Sequence, residues 1–381
     1  MKVSKKIILP IIVIAQFCCT SLWFAGNAIL EDLIITYNLN PNILGSLTSV
    51  VQFGFILGTL SFAVLTIADR FSPSKVFFVS AILGALANLS IINSQNTYIS
   101  ILLFRFLTGF FLAGIYPVGM KIAADYFEKG LGKALGFLVG ALVLGTAFPH
   151  LLKDTISNFN WRIILIVISA TAILGGFLIL LFVPNGPYRK QSQKLQIFAF
   201  AKVFEKKEFK GAAFGYFGHM WELYTFWAFV PVMLLTFKNK FEIEYLNVSF
   251  LSFLIIGVGC LSCFISGFIS QKIGLKKTAF FSLLISGICC LLAPIILSFA
   301  SLSTLIVFLV FWGFFVISDS PMFSSLVALN ASPKLKGTAL TIVNCIGFAI
   351  TILSIQLVNY LHINFSTNLI FLVLAIGPIF G

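Results

Sequence analysis

The chain has 381 residues, 59% of them hydrophobic and only 10% charged, with a formal net charge of +13. Soluble domains carry roughly 25% charged residues, so a soluble fold of this length could not hide so much apolar surface, and lipid must be the solvent for much of it. The basic balance does not point to nucleic acid: no basic patch interleaved with aromatics lies outside the apolar runs, and basic residues that flank membrane spans set their orientation.

A spanning helix needs about 20 apolar residues. Runs of that length recur along the whole chain and lack the alternation of barrel strands. Lys2, Lys5 and Lys6 precede the first run, from Ile7 to Leu30, which is long for a signal-peptide core and reads as an uncleaved span. Next come runs from Leu44 to Ala68, Ser74 to Ile92, Ile99 to Met120, Leu131 to Leu152 and Trp161 to Val183. After a polar stretch follow runs from Gly211 to Phe237, Leu246 to Ser270, Lys277 to Leu297, Ser303 to Leu326, Thr338 to Leu361 and Asn364 to Gly381. The last stops with no polar tail, which predicts a short final helix or an end that is not native. The reading is an all-α membrane protein of twelve transmembrane helices. Residues 1–183 form an N-terminal six-helix bundle, 184–210 a basic cytoplasmic linker, and 211–381 a C-terminal six-helix bundle.

Charge supports this order. With the N-terminus inside, twenty of the 25 Lys and Arg residues fall on the cytoplasmic side. Lys153, Arg162, Lys238 and Lys240 fall on the other, and Arg105 lies inside a span. That places both termini in the cytoplasm. The seven cysteines all lie in apolar runs. Cys260-x-x-Cys263 has ligand spacing, but nothing nearby completes a metal site, so both read as packing residues. No metal or cofactor is expected.

The halves echo each other, as parallel repeats would. Asp69-Arg70-Phe71-Ser72-Pro73-Ser74-Lys75 follows the second run, and Gln271-Lys272-Ile273-Gly274-Leu275-Lys276-Lys277 follows the eighth. Pro117 and Pro321 occupy matching places in the fourth and tenth. On these residues the chain resembles the major facilitator superfamily. Asp69, Arg70 and Lys75 match the signature of its loop between spans two and three, although Leu65 and Ser72 stand at the usual glycine positions. The second copy keeps Gly267, Gly274, Lys276 and Lys277 but has Gln271 where an acid is common. Arg105 and Gly109 match a signature of span four. Gly136 and Gly145 match the start of an antiporter signature in span five, which Pro149 and His150 then break. The resemblance implies two pseudo-symmetric bundles, a cavity lined by spans one, four, seven and ten, and cytoplasmic gating by the loops. Asp69, Arg70, Lys75, Gln271 and Lys272 are the gating candidates.

An ionisable residue inside the membrane costs about 3 kcal/mol or more and is a functional candidate by default. Counting at 1.5 Å per residue, Arg105 lies roughly 10 Å from the outer side and Glu222 roughly 17 Å from the inner side. His219 shares a helix face with Glu222. Asp319, about 24 Å from the outer side, reads as a gate or proton site near the cytoplasmic mouth. Gln16 falls near the midplane, and Gln52 is another amide that is costly to bury unpaired. Trp221 and Tyr224 are candidates for lining a pocket. The substrate-binding or coupling set is therefore Arg105, Glu222, His219, Gln16, Trp221 and Tyr224.

No phosphate loop, metal cluster or nucleophile elbow argues for an enzyme or a primary pump. The expected function is a secondary transporter of a small, anionic solute, proton-coupled, in a bacterial-type inner membrane. The alternatives are a multidrug-type exporter and a non-transporting receptor or assembly partner. The expected partners are the solute, protons and the lipid bilayer, with no nucleic acid, and the chain is expected to be a monomer.

Overall fold

A computed structural model of the chain describes residues 5–127, 131–156, 160–189, 204–332, 335–365 and 367–381. Among these, every regular element is helical. In chain order the first are α1 (Lys5–Thr20), α2 (Ala25–Ala28), α3 (Leu30–Tyr37), α4 (Leu44–Val64) and α5 (Ile67–Arg70). Then come α6 (Pro73–Ser90), α7 (Tyr98–Leu112), α8 (Tyr116–Tyr126), α9 (Leu131–Thr155) and α10 (Arg162–Phe182). Beyond the linker stand α11 (Lys207–Lys240), α12 (Val248–Ile273), α13 (Leu275–Phe299), α14 (Leu302–Ser318), α15 (Ser320–Asn330) and α16 (Lys336–Asn364). A 3-10 helix (Asn368–Ala375) and α17 (Ile376–Phe380) complete the chain.

Ten helical stretches among the described residues are long and apolar enough to cross a membrane, counting α7 with α8 and α14 with α15 as continuous passages. Two shorter apolar stretches, Ile7–Thr20 and Asn368–Phe380, occupy the first and last expected positions. The first expected span is interrupted by a turn over 21–24. Ser21, Gly26 and Asn27 around it are weak helix formers, so the apolar run hides a local preference for a break. Most of the expected linker, with Lys190, Lys194 and Lys202, lies outside the described residues, as do Lys129 and Lys334.

The chain divides into two compact units, Met1–Pro41 with Val50–Phe198, and Asn42–Ser49 with Ala199–Gly381. Each breaks one membrane passage just before a proline. Pro117 lies in the first turn of α8 and Pro321 in the first turn of α15. A proline is tolerated there because its missing N–H would have had no intrahelical acceptor.

Each unit also has a helix pair in backbone contact. In the first, a Cβ on Gly54, Gly58 or Gly109 would strike the carbonyl oxygen of Phe106, Phe110 or Val51, respectively. Gly54 and Gly58 form a small-xxx-small pair that lets α4 meet α7. In the second, Gly313 of α14 meets the Ile255 carbonyl of α12 in the same way. Backbone cannot yield as a flexible side chain can. Gly109→Val is therefore expected to destabilise the protein by about 1–3 kcal/mol. Thermal unfolding in detergent measures this, and an unchanged midpoint would contradict the packing argument.

Candidate functional site

In the first unit the ionisable centre is Arg105 on α7, which is fully buried. Its Nη1 donates to the Leu22 carbonyl at 3.1 Å and its Nη2 to the Trp23 carbonyl. Both acceptors belong to the turn between α1 and α2, where the helical ladder is interrupted. The guanidinium fork supplies donors that the helix withdraws there. The Trp23 ring packs on Phe55 of α4, with centroids 4.8 Å apart.

No carboxylate pairs with Arg105 among the described residues. Its Nε has no partner. Nor do the amides of Gln16 and Gln52 or Nε2 of His150, all buried. Gln16 lies against Gly119 of α8, where a Cβ would collide with its Oε1.

In the second unit α11 carries His219, Trp221, Glu222 and Tyr224 within one helix of 34 residues. His219 and Glu222 are both fully buried. His219 Nδ1 lies 2.7 Å from Asp319 Oδ1. Asp319 occupies the junction of α14 and α15, where its backbone carbonyl accepts from Met322 and Phe323 at 2.9 and 3.0 Å. Asp319 thus pairs with His219 in the same unit's interior.

Glu222 accepts three hydrogen bonds. Trp312 Nε1 donates to Oε1 at 2.6 Å, Cys290 Sγ to Oε1 at 3.2 Å, and Ser286 Oγ to Oε2 at 2.9 Å. The Ser286 hydroxyl also lies 3.1 Å from the Leu283 carbonyl. Ser286 and Cys290 are one turn apart on α13, so a single helix face presents both. Arg105 and Glu222 are each held by groups of their own unit.

The two aromatic candidates are structural in their contacts. Trp221 Nε1 donates to the Val373 carbonyl of the 3-10 helix at 2.9 Å. The Tyr224 ring packs between Trp227 and Phe348, 5.2 Å from each.

At the loop after α4, Asp69 forms an ion pair with Lys121 of α8 at 2.9 Å. Arg189 Nη2 donates to the carbonyls of Asp69 and Phe71 at 2.9 and 2.8 Å. The segment leaving α10 is laced to the same loop: Ser72 Oγ donates to Asn185 Oδ1 at 2.8 Å and Ser74 Oγ to the Val183 carbonyl at 2.5 Å. Arg70, Lys75, Gln271 and Lys272 are exposed. Sequence reading missed Lys121, Arg189, Ser286, Cys290 and Trp312 as partners. Ser, Cys and Trp are ordinary packing residues inside an apolar run, and only the rotation of each helix shows what they face.

Apolar helices of membrane length, interrupted beside buried ionisable side chains, are the architecture of a polytopic membrane protein. The sequence profile of the Major Facilitator Superfamily matches residues 12–355, and the chain belongs to that superfamily. It is a multi-pass membrane protein with the transporter fold of that family. Among solved structures it is similar to a bacterial homolog of the human lysosomal transporter Spinster, in an inward-facing, unoccupied conformation. That match has a TM-score of 0.72 and 17% identity, over 96% of this chain and 84% of that one. It is similar to the human organic anion transporter MFSD10, with a TM-score of 0.74 and 14% identity over 99% and 98% of the two chains. For the proton:xylose symporter XylE the TM-score is 0.76 and the identity 13%, over 99% of this chain and 94% of that one. No curated protein sequence matches the chain.

Proposed function

We propose that the chain is a secondary transporter that carries a small, anionic solute together with a proton, by alternating access between two six-span halves. The observation that carries this reading is Arg105: a buried guanidinium whose Nη atoms donate to backbone carbonyls and which pairs with no acid among the described residues. A buried charge without a counter-charge is costly, and an anionic solute would offset it. The unpartnered amides of Gln16 and Gln52 offer donors and acceptors for the rest of such a solute. In the second unit the buried acids outnumber the buried bases. Glu222 and Asp319 are two buried acids and only Asp319 is paired with a histidine, so even a charged His219 leaves one negative charge for a proton to neutralise.

Uptake into proteoliposomes, screened over organic anions, sugars and cationic drugs with and without a pH gradient, tests the reading. Anion uptake that responds to an inward proton gradient is expected. Flux of cationic drugs alone would favour an exporter, and binding without flux a receptor.

The proposed location is a bacterial-type inner membrane, with both termini cytoplasmic and the chain monomeric. Reporter fusions at Gln95 and Lys238 are expected outside and those at Lys194 and Lys272 inside. An outer signal at Lys272 would reverse the orientation.

Asp69 is proposed to set the conformational equilibrium through its pair with Lys121. Asp69→Asn removes the ion pair and keeps the side chain's shape. It is expected to slow turnover by about tenfold, equivalent to about 1.4 kcal/mol, while solute affinity stays within about threefold. Loss of binding in a folded variant would place Asp69 in recognition instead.

A further inference from the structure

We propose that the end of the second unit beside Gly274 is a binding site for an anionic phospholipid. A cleft of about 100 Å³ lies between α12, α13 and α14. Ile265, Ile269, Ile273, Phe281, Phe314 and Ser282 line it. The first four are between 43% and 51% exposed, so the cleft opens on the surface of the molecule.

Three of its four hydroxyls are turned to backbone, leaving Ser282 as the one polar group in a mostly apolar lining. Ser266, Ser318 and Thr278, which also border it, donate to backbone carbonyls of Cys263, Phe315 and Gly274. A cavity so lined offers water few partners and suits a hydrocarbon chain.

The mouth is basic. Lys272 lies in the last turn of α12, and Lys276 and Lys277 lie in the first turn of α13. All three are exposed, and none forms an ion pair among the described residues. The turn between the helices is sharp because Gly274 has φ +91°, a conformation costly for any other residue. It brings the lysines of both helices to one end of the cleft.

Lysines in a first turn oppose the helix dipole, and no acid in that turn compensates them. Gln271 stands where the equivalent loop of the first unit has Asp69. An anionic group is therefore the missing counter-charge, favoured by the lysines and by the unpaired N–H groups of the helix start. A phospholipid supplies that group and an acyl chain on one molecule, and Lys272 and Lys277 are the chain neighbours of the lining residues Ile273 and Thr278. On the orientation proposed above the lipid belongs to the cytoplasmic leaflet. The binding itself depends neither on that orientation nor on transport.

The test titrates delipidated protein in detergent with phosphatidylglycerol or phosphatidylcholine and counts bound lipid by native mass spectrometry. Phosphatidylglycerol is expected to bind at least about tenfold more tightly, since each nearby lysine contributes about fivefold. Replacing Lys272, Lys276 and Lys277 together by Gln should reduce it to the phosphatidylcholine level, and replacing them by Arg should restore the preference. Ser282→Trp, which fills the cleft, should weaken both lipids while the lysines remain. Ser282→Leu serves where the larger ring disturbs the elution profile. Equal affinity for the two lipids, a preference that survives the triple Gln variant, or binding untouched by a filled cleft would each overturn the proposal. Failure of solute uptake by the unmodified protein would overturn only the transport reading.

Discussion

Glu222→Gln is expected to leave solute exchange intact and to abolish accumulation driven by a pH gradient. The amide keeps an oxygen for Trp312 Nε1 and Cys290 Sγ, and its NH2 can donate to Ser286 Oγ, so the packing of α11, α13 and α14 survives. What it loses is a group that binds and releases a proton. One unit of pH gradient coupled to one proton sustains about tenfold accumulation. In proteoliposomes the variant should equilibrate at a ratio of about one, with counterflow at a near-normal rate. Wild-type accumulation in the variant would remove Glu222 from coupling and leave the His219–Asp319 pair as the remaining buried acid.

Arg105→Lys is expected to be the most damaging conservative change. A guanidinium reaches the Leu22 and Trp23 carbonyls with two different nitrogens, whereas an ammonium is a point donor. At least one buried carbonyl would be left short, at about 1–3 kcal/mol, in addition to the altered position of the charge. Solute affinity is expected to fall by about a hundredfold, equivalent to about 3 kcal/mol, and the unfolding midpoint in detergent with it. Two measurements separate holding the turn from binding the solute. A lower midpoint with normal affinity would assign Arg105 to structure alone, and the anionic solute would lose its main support.

Apolar run length made most of the helices legible, because a bilayer fixes how long such a run must be. The helix Lys207–Lys240 contains the expected run from Gly211 to Phe237 with a few residues more at each end. The breaks before Pro117 and Pro321 also had a visible sign, since proline favours a helix start. The turn at 21–24 had none as clear, for Leu22, Trp23 and Phe24 continue an unbroken apolar pattern.

At the site, the chain positions of the ionisable residues were readable and the directions they face were not. Counting residues put Asp319 toward the cytoplasmic end, and the structure pairs it with His219, three residues before Glu222. The same counting put Arg105 and Glu222 at comparable depth, yet Glu222 turns to Ser286, Cys290 and Trp312. Helix rotation depends on which small residues permit close approach, such as Gly109 against Val51, and that is decided by the pair of helices rather than by either sequence alone.

The hydroxyl of Ser286 lies between two acceptors, Glu222 Oε2 and the Leu283 carbonyl. With the carboxylate charged, the hydroxyl turns toward it. Once Oε2 carries a proton, that proton points at Ser286 Oγ and the hydroxyl swings to Leu283. Loading thus reverses the sense of one hydrogen bond and displaces no heavy atom. The rest of the molecule would learn of the proton as a vanished charge, not as a push. On the coupling role proposed for Glu222, whatever moves the helices must then be sensitive to the local electric field, and the His219–Asp319 couple stands one helical turn away along the same helix.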